Sequence, residues 1–219
     1  MAAKTSTTMP LEKARAEVLP RRAPVQQRSR ERLDRILAVA TELIGARGSD
    51  QLKMGEVAEQ AGISIGSLYQ YFPDKSAIIR SLAERYGAEC RNCVEAALTP
   101  VSSVAALEAA YGLLIDDYYQ LYRAEPVMRD VWSGTQADKQ LAALELAESR
   151  ICGGMLADAM ARAHGAADAS AYAATAFTIW QLGEATMRLA VSVDEKEGAA
   201  IVAAFRRMTL REILTPGQV

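Results

Sequence analysis

Residues 54–75 read Met-Gly-Glu-Val-Ala-Glu-Gln-Ala-Gly-Ile-Ser-Ile-Gly-Ser-Leu-Tyr-Gln-Tyr-Phe-Pro-Asp-Lys. The spacing predicts two short helices with a tight turn at Gly62 between them. The first covers about 54–61, with Met54, Val57, Ala58 and Ala61 inward. The second covers about 65–72, where Leu68 and Phe72 at i and i+4 form the inward face. Ser64 is a side-chain cap for its N-terminus, and Pro73 ends it. A helix this short needs packing to hold its order. Two helices in this arrangement form a helix-turn-helix, a shape that presents one helix to the major groove of DNA.

Working outward, Leu33, Ile36, Leu37, Ala40, Leu43 and Ile44 recur at three- and four-residue intervals. They predict an amphipathic helix over about 29–46, closed by Gly48. On the other side, Asp74 caps a long helix over about 75–98. Beyond Pro100 the pattern is helical throughout, with helices expected at 103–123, 126–134, 137–164, 169–192 and 195–214. Pro126 suits a first helical turn, and the Gly153-Gly154 pair is a candidate bend or break. Residues 1–28, interrupted by Pro10, Pro20 and Pro24 and ending in Arg21, Arg22 and Arg28, read as a disordered basic arm. The fold class is therefore all-α. A helix-turn-helix unit over 29–85, with its motif at about 53–72, precedes a larger helical unit over 86–219.

The charge distribution agrees with that division. Net charge is −2 over 219 residues, which by itself argues against a nucleic-acid binder. Residues 1–85, however, carry 14 Lys and Arg against 10 Asp and Glu, and the remainder carries 11 against 17. A basic front on an acidic body fits a small DNA-contacting module. The sequence holds no apolar run long enough to span a bilayer and no apolar core of a signal peptide, and its three cysteines suit a reducing cytoplasm.

Residues 30–85 resemble the DNA-binding domain of the tetracycline-repressor (TetR) family. The resemblance rests on Ile36-Leu37, Ala40, Gly48, Val57-Ala58, Ala61-Gly62-Ile63-Ser64, Gly66-Ser67-Leu68-Tyr69, Tyr71-Phe72 and Lys75, with unbroken spacing. It implies that Ser64 caps the recognition helix and contacts a phosphate, and that Ile65 and Gly66 lie nearest the bases. There Ile65 presses on a thymine methyl and Gly66 permits close approach. It implies phosphate contacts from Ser67, Tyr69 and Tyr71 and a backbone clamp at Lys75. Gln70 pairs a donor with an acceptor, which suits adenine. One position departs from the pattern. The family usually carries Thr or Ser where this chain has Lys53, which can meet a phosphate but cannot cap the following helix.

The resemblance further implies a homodimer on a palindromic, double-stranded operator. It also implies a body that binds a small effector molecule. Phe177, Trp180, Met187, Ile201, Phe205 and Met208 are candidates for the pairing face, the alternative being that they complete the protomer's own core. Tyr111, Tyr118, Tyr119, Tyr122, Met128, Trp132, Met155 and Trp180 are candidates for a pocket that favours an apolar or flat aromatic ligand, the alternative again being ordinary core. The reading is a ligand-responsive DNA-binding regulator, most simply a repressor. The competing readings are an architectural or redox-sensing DNA-binding protein without a small-molecule effector, with Cys90 and Cys93 as the sensing pair, and a small helical enzyme. No nucleophile–base arrangement, phosphate-binding glycine loop or metal-ligand cluster is present in the sequence, so no catalytic residue, cofactor or metal is expected.

Overall fold

The computed structural model describes residues 22–133 and 138–215. Among them all regular structure is helical: α1 (Arg22–Arg47), a single 3-10 turn (Ser49–Gln51), α2 (Met54–Gln60), α3 (Ile65–Tyr71), α4 (Lys75–Leu98), α5 (Val104–Ala124), α6 (Pro126–Ser133), α7 (Lys139–His164), α8 (Ser170–Ala190) and α9 (Glu195–Leu214).

The helix starts follow from local chemistry. Ser64 Oγ accepts the Ser67 amide at 3.1 Å, Asp74 Oδ1 accepts that of Ala77 at 2.7 Å, and Ser103, Asp138 and Asp194 cap α5, α7 and α9 in the same way. Lys53 makes no side-chain cap at the start of α2. The turn between α2 and α3 is a Schellman motif. The Ile63 amide donates to the Ala58 carbonyl and the Gly62 amide to that of Glu59, with Gly62 at φ +67°. A residue with a Cβ would be strained there.

Residues 1–21 of the expected arm lie outside the described part. Residues 22–28 do not form an arm: α1 begins at Arg22, one to two turns earlier than the sequence pattern sets it. Pro24 falls in the first turn, where a missing amide costs no bond, and Gln27 Nε2 donates to Glu31 Oε1 one turn on.

Helices α1–α3 share a core of Ile36, Leu37, Ala40, Leu43, Ile44, Val57, Ala58, Leu68 and Phe72, continuous with Ile78 and Leu82 of α4. Helix α4 then runs on into the body, where Val94 and Leu98 are buried. Arg162 of α7 donates to the Leu98 and Val101 carbonyls at 2.7 and 3.1 Å, so the C-terminal end of α4 is held by a guanidinium. Helices α7, α8 and α9 pack in sequence against one another, and α4 lies along α7. His164 bridges α7 to α9 through a 2.9 Å contact between Nε2 and the Ile213 carbonyl, and it stacks on Tyr172. It is thus a packing residue between α7, α8 and α9.

The glycine pair does not divide α7, which runs unbroken from Lys139 to His164. A Cβ on Gly153 would meet Phe177 Cα at 2.9 Å, so this glycine lets α7 and α8 approach backbone to backbone, while Gly154 faces open space. Gly153→Ala should therefore force the two helices apart and destabilise the protein by about 1–3 kcal/mol. Gly154→Ala should be neutral or stabilising by up to about 1 kcal/mol. Thermal melting of the two variants checks the contrast, and equal effects would remove the close approach as the reason for Gly153.

Candidate nucleic-acid interface and cavity

Helix α3 buries Leu68, with Phe72 buried just beyond it, and leaves the opposite face in water. Ile65 is 44% exposed and Tyr69 50%. Ser64, Gly66 and Gln70 are exposed beside them, and Lys53 is exposed at the start of α2. Ser67 is half-buried, its amide taken by Ser64. Tyr71 is half-buried too, with its hydroxyl 3.3 Å from Ser29 Oγ of α1. Lys75 Nζ donates to the Asp50 carbonyl at 3.0 Å, tying the first turn of α4 to the 3-10 turn. All nine residues picked from sequence thus occur within one short stretch. Tyr71 and Lys75 also make internal contacts that the motif did not announce.

The body holds a cavity of about 930 Å³ that opens between α1, α4 and α5 and reaches inward to α8 and α9. Its volume is at the upper end of the range for small-molecule sites. Of the eight pocket candidates, Tyr111, Tyr118, Met128 and Trp180 line it. Trp132 borders a small annex of about 20 Å³ behind Tyr118 and Trp180. Tyr119, Tyr122 and Met155 line neither space. Tyr119 follows Tyr118 by one residue, which turns it about 100° around the helix. It is buried at the start of α9, where a Cβ on Gly198 would come within 2.8 Å of its hydroxyl. Met155 is half-buried on α7.

Tyr122 serves the cavity indirectly. Its hydroxyl donates to Glu184 Oε2 at 3.0 Å, and that of Tyr118 donates to Oε1 at 2.7 Å. Glu184 is buried, and desolvation raises its carboxyl above the ordinary value although both phenols favour the charged form. Burial, followed by the Glu184 charge, raises both phenols in turn. Glu184 and the apolar wall made by Leu114, Val94 and Ile179 were not singled out in the sequence. The available signal was one acid inside the apolar run Trp180-Gln-Leu-Gly-Glu-Ala-Thr-Met187.

The thiols are arranged differently from the sequence expectation. Cys90 contacts Cys152 across α4 and α7, and that hydrogen bond, together with burial, pushes the Cys90 thiol up. Cys93 is exposed at the cavity rim. Oxidation proceeds through the thiolate, so the raised Cys90 is poorly suited to sensing. Among the described residues no cluster of His, Cys, Asp or Glu is placed to hold a metal ion, and no helix is long and apolar enough to cross a membrane.

Helix α6 joins the cavity to the N-terminal helices. Met128 lines the cavity and Trp132 the annex, while the Asp130 carboxylate accepts the Ser49 amide at the 3-10 turn and Val127 packs on Gly45. Gly48, at φ +85°, makes the turn that brings that amide to Asp130.

Two family descriptions match this architecture. Residues 36–82 match "Bacterial regulatory proteins, tetR family", and residues 105–216 match "Tetracyclin repressor-like, C-terminal domain". The chain belongs to the TetR family, a family of bacterial regulatory proteins and not of enzymes. It is 27% identical to the HTH-type transcriptional regulator BetI of Cronobacter sakazakii over 126 residues, 56% of this chain and 60% of that one. The match thus spans somewhat more than half of that relative. Among solved structures it is similar to a TetR-family regulator of Mesorhizobium loti, with a TM-score of 0.64, 16% identity and coverage of 85% of this chain and 96% of that one. RolR, solved in complex with resorcinol, is similar at a TM-score of 0.57 and 20% identity, over 89% of this chain and 98% of that one.

The raised carboxyl of Glu184 has a consequence for stability. A carboxyl that holds its proton more tightly when folded contributes its full share below the ordinary value of 4.5, and loses it as pH rises through the raised value. Glu184→Gln keeps partners for both phenols and carries no charge to desolvate. Its denaturation midpoint should gain on wild type as pH is raised from about 4 to about 8. The gain is about 1.4 kcal/mol for each pH unit crossed inside the window. A difference that stays constant over that range would mean that Glu184 titrates alike in the folded and unfolded chains.

Proposed function

We propose that the protein is a ligand-responsive transcriptional regulator, acting as a repressor that grips a palindromic operator as a homodimer and is released by a small apolar or aromatic molecule. The observation that carries the reading is the outward face of α3. Ile65 and Tyr69 stand in water on a helix that is held on its other side by Leu68 and fixed at its start by the Gly62 turn. Outside the flanking residues and the backbone of α3 itself, no atom lies within 4 Å of where a Cβ on Gly66 would sit, so tertiary packing does not call for glycine there. Close approach of a groove does. The roles follow from side-chain chemistry. Ile65 and Gln70 read base edges. Ser64, Ser67, Tyr69, Tyr71, Lys53 and Lys75 meet phosphate and set register.

The partner is a second copy of this chain. Ala174, Thr178, Leu182, Ala185 and Leu189 form one exposed stripe along α8, and Met208 is exposed on α9, the helix that packs on α8. Leu182, Leu189 and Met208 are 51, 53 and 69% exposed, an apolar surface that monomers seldom leave uncovered. The earlier candidates need revision. Met187 and Phe205 are buried in the protomer and line the cavity, and Trp180 also faces the cavity. Phe177 and Ile201 are half-buried, and the Arg150 guanidinium covers the Phe177 ring at 4.8 Å. Leu182→Lys combined with Leu189→Lys should yield monomers by light scattering. A persistent dimer would move the interface to another face.

Release requires the cavity and α3 to be coupled. The continuous α4 and the α6 bridge are the two routes, and both touch the cavity wall. A ligand that spreads the α3 pair away from the spacing of about 34–36 Å loses the fit to successive major grooves. Moving occupancy from 1:99 to 99:1 takes a preference of about 5.5 kcal/mol for the released state.

Selection of bound DNA from a random pool tests the whole reading: a palindromic sequence should emerge. Gln70→Ala should change that sequence more than general affinity. Tyr71→Ala with Lys75→Ala should weaken binding on every sequence and reduce the salt slope by about 1–2 contacts. Recovery of no preferred sequence would sink the operator reading.

A further inference from the structure

The cavity is apolar inside and acidic at its mouth. Tyr111, Tyr118, Met128 and Trp180 form its inner wall. Its charged lining consists of Glu42, Glu89, Asp117 and Glu125 against a single Arg85. Arg85 is already committed: its guanidinium lies 3.4 Å from Glu89 and 3.9 Å from Asp34. The neighbouring arginines are committed as well, Arg123 to Glu195 at 2.7 Å and Arg206 to Asp116 at 2.9 Å. The Arg206 pair takes Asp116 and leaves the adjacent Asp117 to the mouth. Among the described residues Glu42, Asp117 and Glu125 have no ion-pair partner.

Glu125 is the most telling of the three. It is half-buried at the end of α5, faces the cavity and stands close enough to Tyr86 to help burial raise that phenol. A half-buried carboxylate without a cation, beside aromatic rings, is a site for a charge that the protein does not supply. Ring faces and carboxylates attract the same sign of charge, so the wall and the mouth agree in their preference. An anionic ligand would have to desolvate against three uncompensated carboxylates.

We propose that the cavity takes a lipophilic organic cation, an amine or quaternary ammonium on an apolar or flat aromatic body, with Glu125 and Asp117 holding the charge and Tyr118 and Trp180 the body. This rests on the reading of the cavity as the effector site and specifies the chemical class that the effector belongs to.

Tetraphenylphosphonium and tetraphenylborate share shape and differ in sign of charge, so the pair isolates the charge preference. Calorimetric titration of the full-length protein should give an affinity at least tenfold tighter for the phosphonium, weakening as salt is raised. Asp117→Asn with Glu125→Gln should bring the two affinities together by weakening the phosphonium. Asp117→Asn alone should narrow the gap, and it serves if the double variant melts early. Equal affinities in wild type, tighter binding of the borate, no binding of the phosphonium, or an unchanged ratio in the variants would each overturn the proposal. Displacement of selected DNA separates this from the reading beneath it. If the phosphonium binds as expected and leaves the DNA complex intact, the ligand class stands and the effector role of the cavity falls. If only neutral or anionic compounds release DNA, the role stands and the ligand class falls.

Discussion

Helix α4 has to satisfy two cores at once. Its first half closes the N-terminal helices through Ile78 and Leu82, and its second half enters the body through Val94 and Leu98. At 24 residues it spans roughly 36 Å without a break. Both ends are fixed, by Asp74 and the Lys75 contact to Asp50 at one and by the Arg162 guanidinium at the other. Under the proposed mechanism this helix is the element that carries a displacement at the cavity wall to α3 through the packed core.

The same helix forms one wall of the cavity. Tyr86, Cys90 and Val94 of α4 face it from one side and α5 and α8 from the others. Helix α6 adds a second tie. Met128 lines the cavity and Asp130, two residues on, caps the turn that precedes α2. Behind the Tyr118 wall lies Glu184 with its two phenols, a network whose members are all satisfied and which therefore tolerates burial.

Most helix limits, the Ser64 and Asp74 caps, the Gly62 turn and the inward faces of α1, α2 and α3 were legible in the sequence, because each depends on residues within a turn or two. The early start of α1 was not read, because proline was taken to break a helix that it only begins. Half of the pocket candidates proved to line the cavity. Periodicity says that Tyr118 and Tyr119 are both on a helix with apolar surroundings, but it does not say which neighbour stands on which side. Met187 and Phe205, expected at the pairing face, are buried within the protomer for the same reason. Helix α8 is apolar around most of its circumference, and only the packed structure distinguishes the side that meets α7 and α9 from the side that meets water.

The sequence by itself determined the helical class, the helix-turn-helix and its family, since these rest on local spacing and on residue types that only a few backbone conformations accept. The tertiary structure decided what depends on contacts distant in the chain. It brought Glu184 to Tyr118 and Tyr122, Cys90 to Cys152 and Asp130 to Ser49. Among the described residues it also left three carboxylates at the cavity mouth without an ion-pair partner, a property that no count of charges along the chain can reveal, because pairing is set by distance in space.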